Sequence, residues 1–432
     1  MGVYELSGSF LSVLGQPERV PLRNFNDRAL MAVQCRGAAL SNMFGGVCDW
    51  SGRSTWESGL YGAACEFDPA LAELKALGEA AERYANAIMA PEETRVARAS
   101  ELGGDAFAWW RLPKLSPQET ADSKQALRPF SESSVLRWVS AVDMHSARLS
   151  YVPLVLTNLY PRAWSSERFT YPISTGTALH PDPWQAMVSA TLEVIERDAL
   201  SLNWLLRRPL RRIKLRPSDF YLFDEETWAI LQHSDLRLYD AATDIGVPIV
   251  YARRCRPAHP RTSNAFGCAC DFDVVKAIGK AAREALMISH ALESTVHTPP
   301  SDPADCDGLI DGACFMMVPE HHKTFAFLDE GGEVDISELV KECPASASDQ
   351  FQLLTRQLAT RNQPFYLAEL TPDELREVGL RVFRAVLPGL MPLSFVHRAR
   401  FLASRRLSHM HRVWQLPCPL EECFNPWPQP FS

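Results

Sequence analysis

Residues 182–197 read DPWQAMVSATLEVIER, and residues 68–83 read DPALAELKALGEAAER. Both open with Asp-Pro, an aspartate suited to cap a helix N-terminus followed by the residue best tolerated at the first helical position. Each then places a glutamate eleven residues after the aspartate, Glu79 and Glu193, and a second three further on, Glu82 and Glu196. An arginine follows directly in both, Arg83 and Arg197, so the offset is constant (193 − 79 = 114; 197 − 83 = 114). A looser third copy, DVVKAIGKAARE, runs from Asp273 to Glu284 with the same eleven-residue spacing but without the second glutamate and the arginine. Two matched helices and one degenerate copy predict a pseudo-symmetric core of long helices packed on β-sheets.

On a helix, residues three apart share a face, so Glu79 with Glu82, and Glu193 with Glu196, present paired carboxylates. The expected setting is apolar: Leu74, Leu77, Ala81 and Tyr84 in one helix, Met187, Ala190, Leu192 and Ile195 in the other. Like charges on a part-buried face repel, so something positive must offset them. The plain alternative is that each glutamate pairs with an arginine or lysine, or faces water. Four carboxylates converging from two helices suit a hard cation such as Mg²⁺. Arg83 and Arg197 cannot hold that metal, but each offers a fork for phosphate oxygens. Together they point to a metal-bridged nucleotide phosphate chain. Ser174-Thr175-Gly176, just before the second helix, could lend hydroxyl and backbone N–H donors, although an isolated S-T-G is most often an ordinary turn. No P-loop, GxGxxG, GxSxG or HExxH signature occurs.

Working outward, candidate strands are Ser150–Leu156, Val247–Arg253, Ala265–Cys270 and Pro364–Leu370. They alternate irregularly with helical stretches, so the fold class is α+β. Leu115–Pro129 and His297–Asp307 read as loops, and His321-His322 as a solvated loop. The division expected is an N-terminal segment 1–60, a catalytic domain 61–415 and a Pro-rich tail 416–432.

A formal net charge of −8 argues against a nucleic-acid partner held by bulk electrostatics. No apolar run approaches the roughly 18 residues that span a bilayer, and Met1–Leu6 lacks the features of a signal peptide. A cytosolic location is expected, with the eleven cysteines mostly buried thiols. A zinc site from His409, His411, Cys418 and Cys423 has irregular spacing and is the weaker reading.

Ser174 to Trp204 closely resembles the central motif of YcaO-domain proteins. GEAAER around Glu79 is similar to that family's earlier motif, and Gly267–Glu284 to its third. Leu370-Thr371 with Pro388-Gly389-Leu390 resembles its late region. The resemblance implies ATP bound between the helices, with Mg²⁺ held by Glu79, Glu82, Glu193 and Glu196. It also implies phosphate or nucleotide contacts from Arg83, Ser174, Arg197, Lys280 and Glu284. Gln185 stands at a metal-site position where an acidic residue is common, and Pro181 where Asn is often seen. Pro426-Trp427-Pro428-Gln429-Pro430 is similar to the PxPxP tail of azoline-forming members, the microcin B17-type cyclodehydratases; members that make thioamides or amidines generally lack it. That gives Pro426, Pro428 and Pro430 an expected catalytic role in orienting peptide or aiding proton transfer, against the alternative of a floppy or partner-binding end. The implied partners are a precursor peptide, a leader-binding protein resembling ubiquitin-activating enzymes and a flavin dehydrogenase, in an oligomeric complex. A non-catalytic scaffold is the alternative that Gln185 leaves open.

Overall fold

The computed structural model of the chain describes residues 2–7, 14–25, 28–37, 61–88, 94–159, 164–294, 297–417 and 419–431. The three Asp-Glu stretches form its longest helices: α1 (Pro69–Ala87), α2 (Pro183–Leu205) and α3 (Val274–Ser294). Their starts are alike. Asp68 accepts from Ala70 N, Asp182 from Trp184 N and Asp273 from Val275 N, each at 2.9 Å. The third copy therefore keeps its cap although valine replaces proline at the first helical position.

Three sheets carry these helices. The first is antiparallel, in the order β1 (Glu18–Phe25), β2 (Arg28–Arg36), β3 (Tyr61–Glu66). The second is β4 (Thr94–Arg98), β5 (Val135–Asp143), β13 (Tyr366–Glu369), β14 (Arg381–Val386), β7 (Thr177–His180), with β6 (Arg148–Pro153) added on β5. The third is β11 (Asn264–Cys270), β10 (Ile249–Cys255), β9 (Leu236–Asp240), β8 (Arg211–Lys214), β12 (Glu333–Asp335). Helix α1 packs on β3 and β2, α2 on β14 and β7, and α3 on β11 and β10; α2 also touches β11, and α1 touches β7. Strands β3, β7 and β11 each end their sheet, and α2 packs directly on two of them, β7 and β11.

Close approach of helix to strand comes from small residues. Ala72, Ala76 and Ala80 line α1, Ala277, Ala281 and Ala285 line α3, and all are fully buried. Opposite them stand glycines: a Cβ at Gly62 would lie 1.9 Å from Ala76 O, and one at Gly267 2.3 Å from Ala281 O. These glycines and Gly176 share one spacing to the helix glutamate (79 − 62 = 17; 193 − 176 = 17; 284 − 267 = 17). The repeat is thus a strand-plus-helix unit used three times.

A buried ion network pins the far side of α2. Arg406, at the start of a helix Arg405–Val413, bonds both Asp198 (2.7 Å) and Asp244 (2.6 Å), and Asp198 also accepts from Met391 N (2.8 Å). Removing one member of such a network typically costs ~3–5 kcal/mol, because it strands a buried charge.

The four expected strands are all present, with ends shifted by at most three residues. Leu154–Leu156 forms a 3₁₀ turn instead of extending β6. Leu74 is 42% exposed, not part of the apolar setting expected of it, because α1 turns its alanine face to β3 and leaves Leu71 and Leu74 outward. His321 and His322 do not form a solvated loop. His321 stacks on Phe315 (4.6 Å) and His322 Nδ1 shares a hydrogen bond with Ser263 Oγ (3.1 Å), within a 3₁₀ run Pro319–Gly331. The two expected loops hold only a short helix, Pro117–Ala121, and a 3₁₀ turn, Pro303–Asp305. No helix among the described residues is long and apolar enough to cross a membrane. The eight cysteines described are free thiols, six of them buried.

Candidate active site

Free strand edges present unpaired N–H groups, and here the helix glutamates seal them. Ala63 N of β3 donates to Glu79 (2.7 Å). Gly176 N, at the entry to β7, donates to Glu193 (2.9 Å), and Leu179 N of β7 donates to Glu82. Cys268 N and Cys270 N of β11 donate to Glu284 (2.6 Å) and Glu196 (2.9 Å). Five carboxylates from three helices are thus aimed at one place by three sheet edges. Each is enclosed by protein yet keeps a partly accessible side.

Burial and mutual repulsion set the protonation of Glu82, Glu193, Glu196 and Glu284. Burial, then the neighbouring Glu193 and Glu79, holds Glu82 well above the usual carboxylate range. Burial raises Glu193 and Glu284 as well, against the opposing pull of Arg197. Glu196 is pushed up to about 8, chiefly by burial, with Glu284 and Glu193 adding to it. A cluster that holds protons so tightly is short of positive charge, which is the condition a divalent cation would relieve.

Three arginines supply part of that charge. Arg83 pairs with Glu79 (2.7 Å) and donates to Tyr61 O. Arg197 lies 3.9 Å from Glu193, and its buried Nε has no hydrogen-bond partner among the described residues. Arg384 of β14, only 5% exposed, gathers the turn before β7: it donates to Leu156 O (2.9 Å), Ile173 O (2.9 Å), Ser174 O (2.6 Å) and Thr177 Oγ1 (2.9 Å). Burial lowers Arg384 to about 10, with Glu193 and Glu82 opposing that fall.

The expected residues divide as follows. Glu79, Glu82, Arg83, Glu193, Glu196, Arg197 and Glu284 come together, and Ser174 adjoins them through the Arg384-held turn. Lys280 stands one helical turn before Glu284 and is paired with Asp271 (2.7 Å). Lys75 forms the equivalent pair with Glu66 in the first repeat. Gln185 lies in the first turn of α2, eight residues before Glu193 and so ~12 Å along the helix, where it bonds Ser189 (3.3 Å). Sequence reading missed Arg384, since an arginine on a short strand gives no local sign of its partners. It also missed that the glutamates are acceptors for strand N–H groups, although the repeated glycine spacing carried that signal. Of the alternative zinc set, Cys418 and the side chain of Cys423 lie outside the described residues, while His409 stands 3.5 Å from Asp244.

The tail is ordered against α2. Trp204 Nε1 donates to Trp427 O (3.2 Å), and Asn425 N donates to Leu205 O (2.8 Å). Phe431 is buried edge-on to Tyr251 (5.0 Å) and beside Phe266 (5.8 Å). Gly312 admits this path, since a Cβ there would lie 2.3 Å from Gln429 O.

The site fits Mg²⁺ and a phosphate chain. Among the described residues no three acidic, His or Cys groups form a ready-made metal cage. Mg²⁺ rarely needs one, since it is commonly held by one or two carboxylates together with nucleotide phosphates and water. Arg197 Nε, which makes no hydrogen bond among the described residues, suits a phosphate oxygen.

Comparison with known proteins agrees with this fold. A heterocyclase solved in complex with substrate and cofactor superposes with a TM-score of 0.79 at 16% identity, covering 99% of this chain and 56% of that one. This chain therefore spans little more than half of that heterocyclase's length. YcaO from Methanopyrus kandleri, bound with AMPPCP and Mg²⁺, gives a TM-score of 0.60 at 16% identity, over 87% of this chain and 85% of that one. The E. coli microcin synthetase McbBCD complex gives 0.55 at 15% identity, over 87% and 88%. A search of curated protein sequences finds no match. The model of the family described as YcaO cyclodehydratase, ATP- and Mg²⁺-binding, matches residues 64–391, about three-quarters of the chain, and the protein belongs to that family.

Proposed function

We propose that the protein is an ATP-dependent cyclodehydratase that converts Cys, Ser or Thr of a ribosomal precursor peptide to a thiazoline or oxazoline. The observation that carries this reading is the Pro-rich tail docked on the same helix, α2, that presents Glu193, Glu196 and Arg197. A peptide beside that tail would lie within reach of the phosphate-binding residues.

In the proposed reaction a peptide side chain attacks the preceding carbonyl carbon, and the enzyme supplies no nucleophile. ATP, when bound with Mg²⁺, supplies the phosphoryl group that turns the amide oxygen into a leaving group. Glu79, Glu82, Glu193 and Glu196 hold the metal, with Glu284 completing the acidic wall. Arg83 and Arg197 bind phosphate oxygens and offset charge on the transferring group. Ser174 lends its turn to the nucleotide, held there by Arg384. Lys280 on α3 is a further phosphate contact, and Gln185 in the first turn of α2 is a further metal-site residue. Pro426, Pro428 and Pro430 keep the tail extended so that it orients the peptide.

The reading extends to context. The unit 61–415 is the catalytic domain, with 1–60 before it and the tail 416–432 after it. The free thiols fit a cytosolic enzyme. A leader-binding partner resembling ubiquitin-activating enzymes, and a flavin dehydrogenase to oxidise the ring, would form the complex; the likeness to a microcin synthetase complex supports that grouping and a role in antibiotic biosynthesis.

Glu196→Gln tests the site. Glutamine keeps an oxygen to accept from Cys270 N, so the fold should survive. Turnover should fall ~100-fold or more, as expected when charge stabilisation of phosphoryl transfer is lost. Normal turnover in that variant would contradict the metal assignment. Exchange of oxygen for sulfur in the product, with sulfide present, would assign the chain to thioamide formation instead.

A further inference from the structure

Glu193, Arg197, Ser201 and Trp204 fall on one stripe of α2, since they are spaced by four, four and three residues. Ser201 and Trp204 line a narrow cavity that begins one turn past Arg197, ~6 Å along the axis. Leu393, Phe395 and His397 form its other wall, and Pro428 of the tail closes it. The centre of a water-sized sphere moves through about 20 Å³ there, room for one or two non-hydrogen atoms.

The walls are mainly apolar; the Ser201 and Ser394 hydroxyls and the Gln429 amide on them are bonded to backbone carbonyls, whereas two buried polar atoms are not satisfied. Among the described residues, His397 Nδ1 and Arg400 Nε are buried without hydrogen-bond partners. Burial, reinforced by Arg400, pushes His397 down to about 3, so its ring is neutral and offers one acceptor nitrogen. In the tautomer with the proton on Nε2, Nδ1 is the acceptor, and a small apolar slot with that acceptor fits a short side chain that ends in a donor. Cysteine and serine each add two non-hydrogen atoms beyond Cα, while threonine adds a further methyl.

We propose that this cavity is the subsite for the side chain that is cyclised, that its size favours cysteine and serine over threonine, and that His397 positions the attacking group by accepting its hydrogen bond. The inference rests on the azoline-forming reading. It places the attacking atom between the tail and the phosphate-binding arginine, beside the turn that follows on α2.

The experiment uses the full chain with its partner, Mg-ATP and three forms of a precursor whose single modifiable position is Cys, Ser or Thr. Mass spectrometry reads the rate of water loss from each. Wild type should process threonine about tenfold more slowly than serine, the discrimination one methyl commonly supplies. Leu393→Ala should bring the two within about threefold by relieving that same contact. Phe395→Leu reads the same ratio should the first variant fail to fold. His397→Leu should lower kcat for serine, and His397→Gln, which keeps an acceptor, should recover much of it. A threonine-to-serine ratio unchanged in folded, enlarged variants of an enzyme that makes azolines would overturn the subsite. Wild type forming no azoline from any of the three would overturn the azoline reading, and this inference with it.

Discussion

The glutamates of this site serve two purposes at once, and their environment has a consequence for pH. Glu196 is raised to about 8, mainly by burial, whereas in an unfolded chain a glutamate ionises near ~4.3. A carboxylate whose folded pKa is raised favours the folded state while protonated. That contribution is complete below the unfolded value and is lost as pH rises toward 8. Glu82, Glu193 and Glu284 are raised too and act in the same direction. Mg-ATP should therefore raise the thermal unfolding temperature more at pH 8 than at pH 6, where it must first displace protons. A larger increase at pH 6 would contradict this. At this scale the paired glutamates and their arginines were legible in sequence, because a helix fixes neighbours by spacing alone. Arg384 was not, because its four acceptors come from Leu156 and the turn Ile173–Thr177, far away in the chain.

Each repeat works as a glycine-bearing strand edge and a capped helix pressed onto it. The close approach at Gly267, where a Cβ would lie 2.3 Å from Ala281 O and 2.5 Å from Ala285 N, leaves no room for a side chain. Gly267→Ala should push α3 off β11 and destabilise the protein by ~2–3 kcal/mol, as overpacking against backbone does. It should also weaken nucleotide binding, since Glu284 takes its bond from the adjoining Cys268 N. Urea unfolding and nucleotide titration of one sample check both; a variant as stable as wild type would refute the tight packing. The helices and their caps were legible from Asp-Pro and the eleven-residue spacing. The strand half of the repeat was not read, because its glycines acquire meaning only when a helix is laid against them. Leu74 misled for a related reason: on a helix packed through alanines, a leucine can be left outside.

Across the whole molecule, three sheet edges and three helices bring the glutamates together, and the tail crosses back to α2. The tail contributes to stability as well as position, since Phe431 is 3% exposed and burying such a ring contributes about 1.5–3 kcal/mol. Ending the chain after Asn425 should lower unfolding stability by about that amount and abolish ring formation. Unchanged ring formation in that truncation would remove the tail from the reaction. The fold class and the special nature of the tail were legible in sequence. Its berth between Trp204, Tyr251 and Phe266 was not, since those residues meet only after three separate elements pack. The central claim is that the enzyme drives ring closure by phosphorylating the backbone amide oxygen. The most direct measurement is to place ¹⁸O in the carbonyl that precedes the modified residue and follow it by mass spectrometry. The account expects the label in released phosphate, one atom for each ring formed; label lost to water, with unlabelled phosphate, would contradict it.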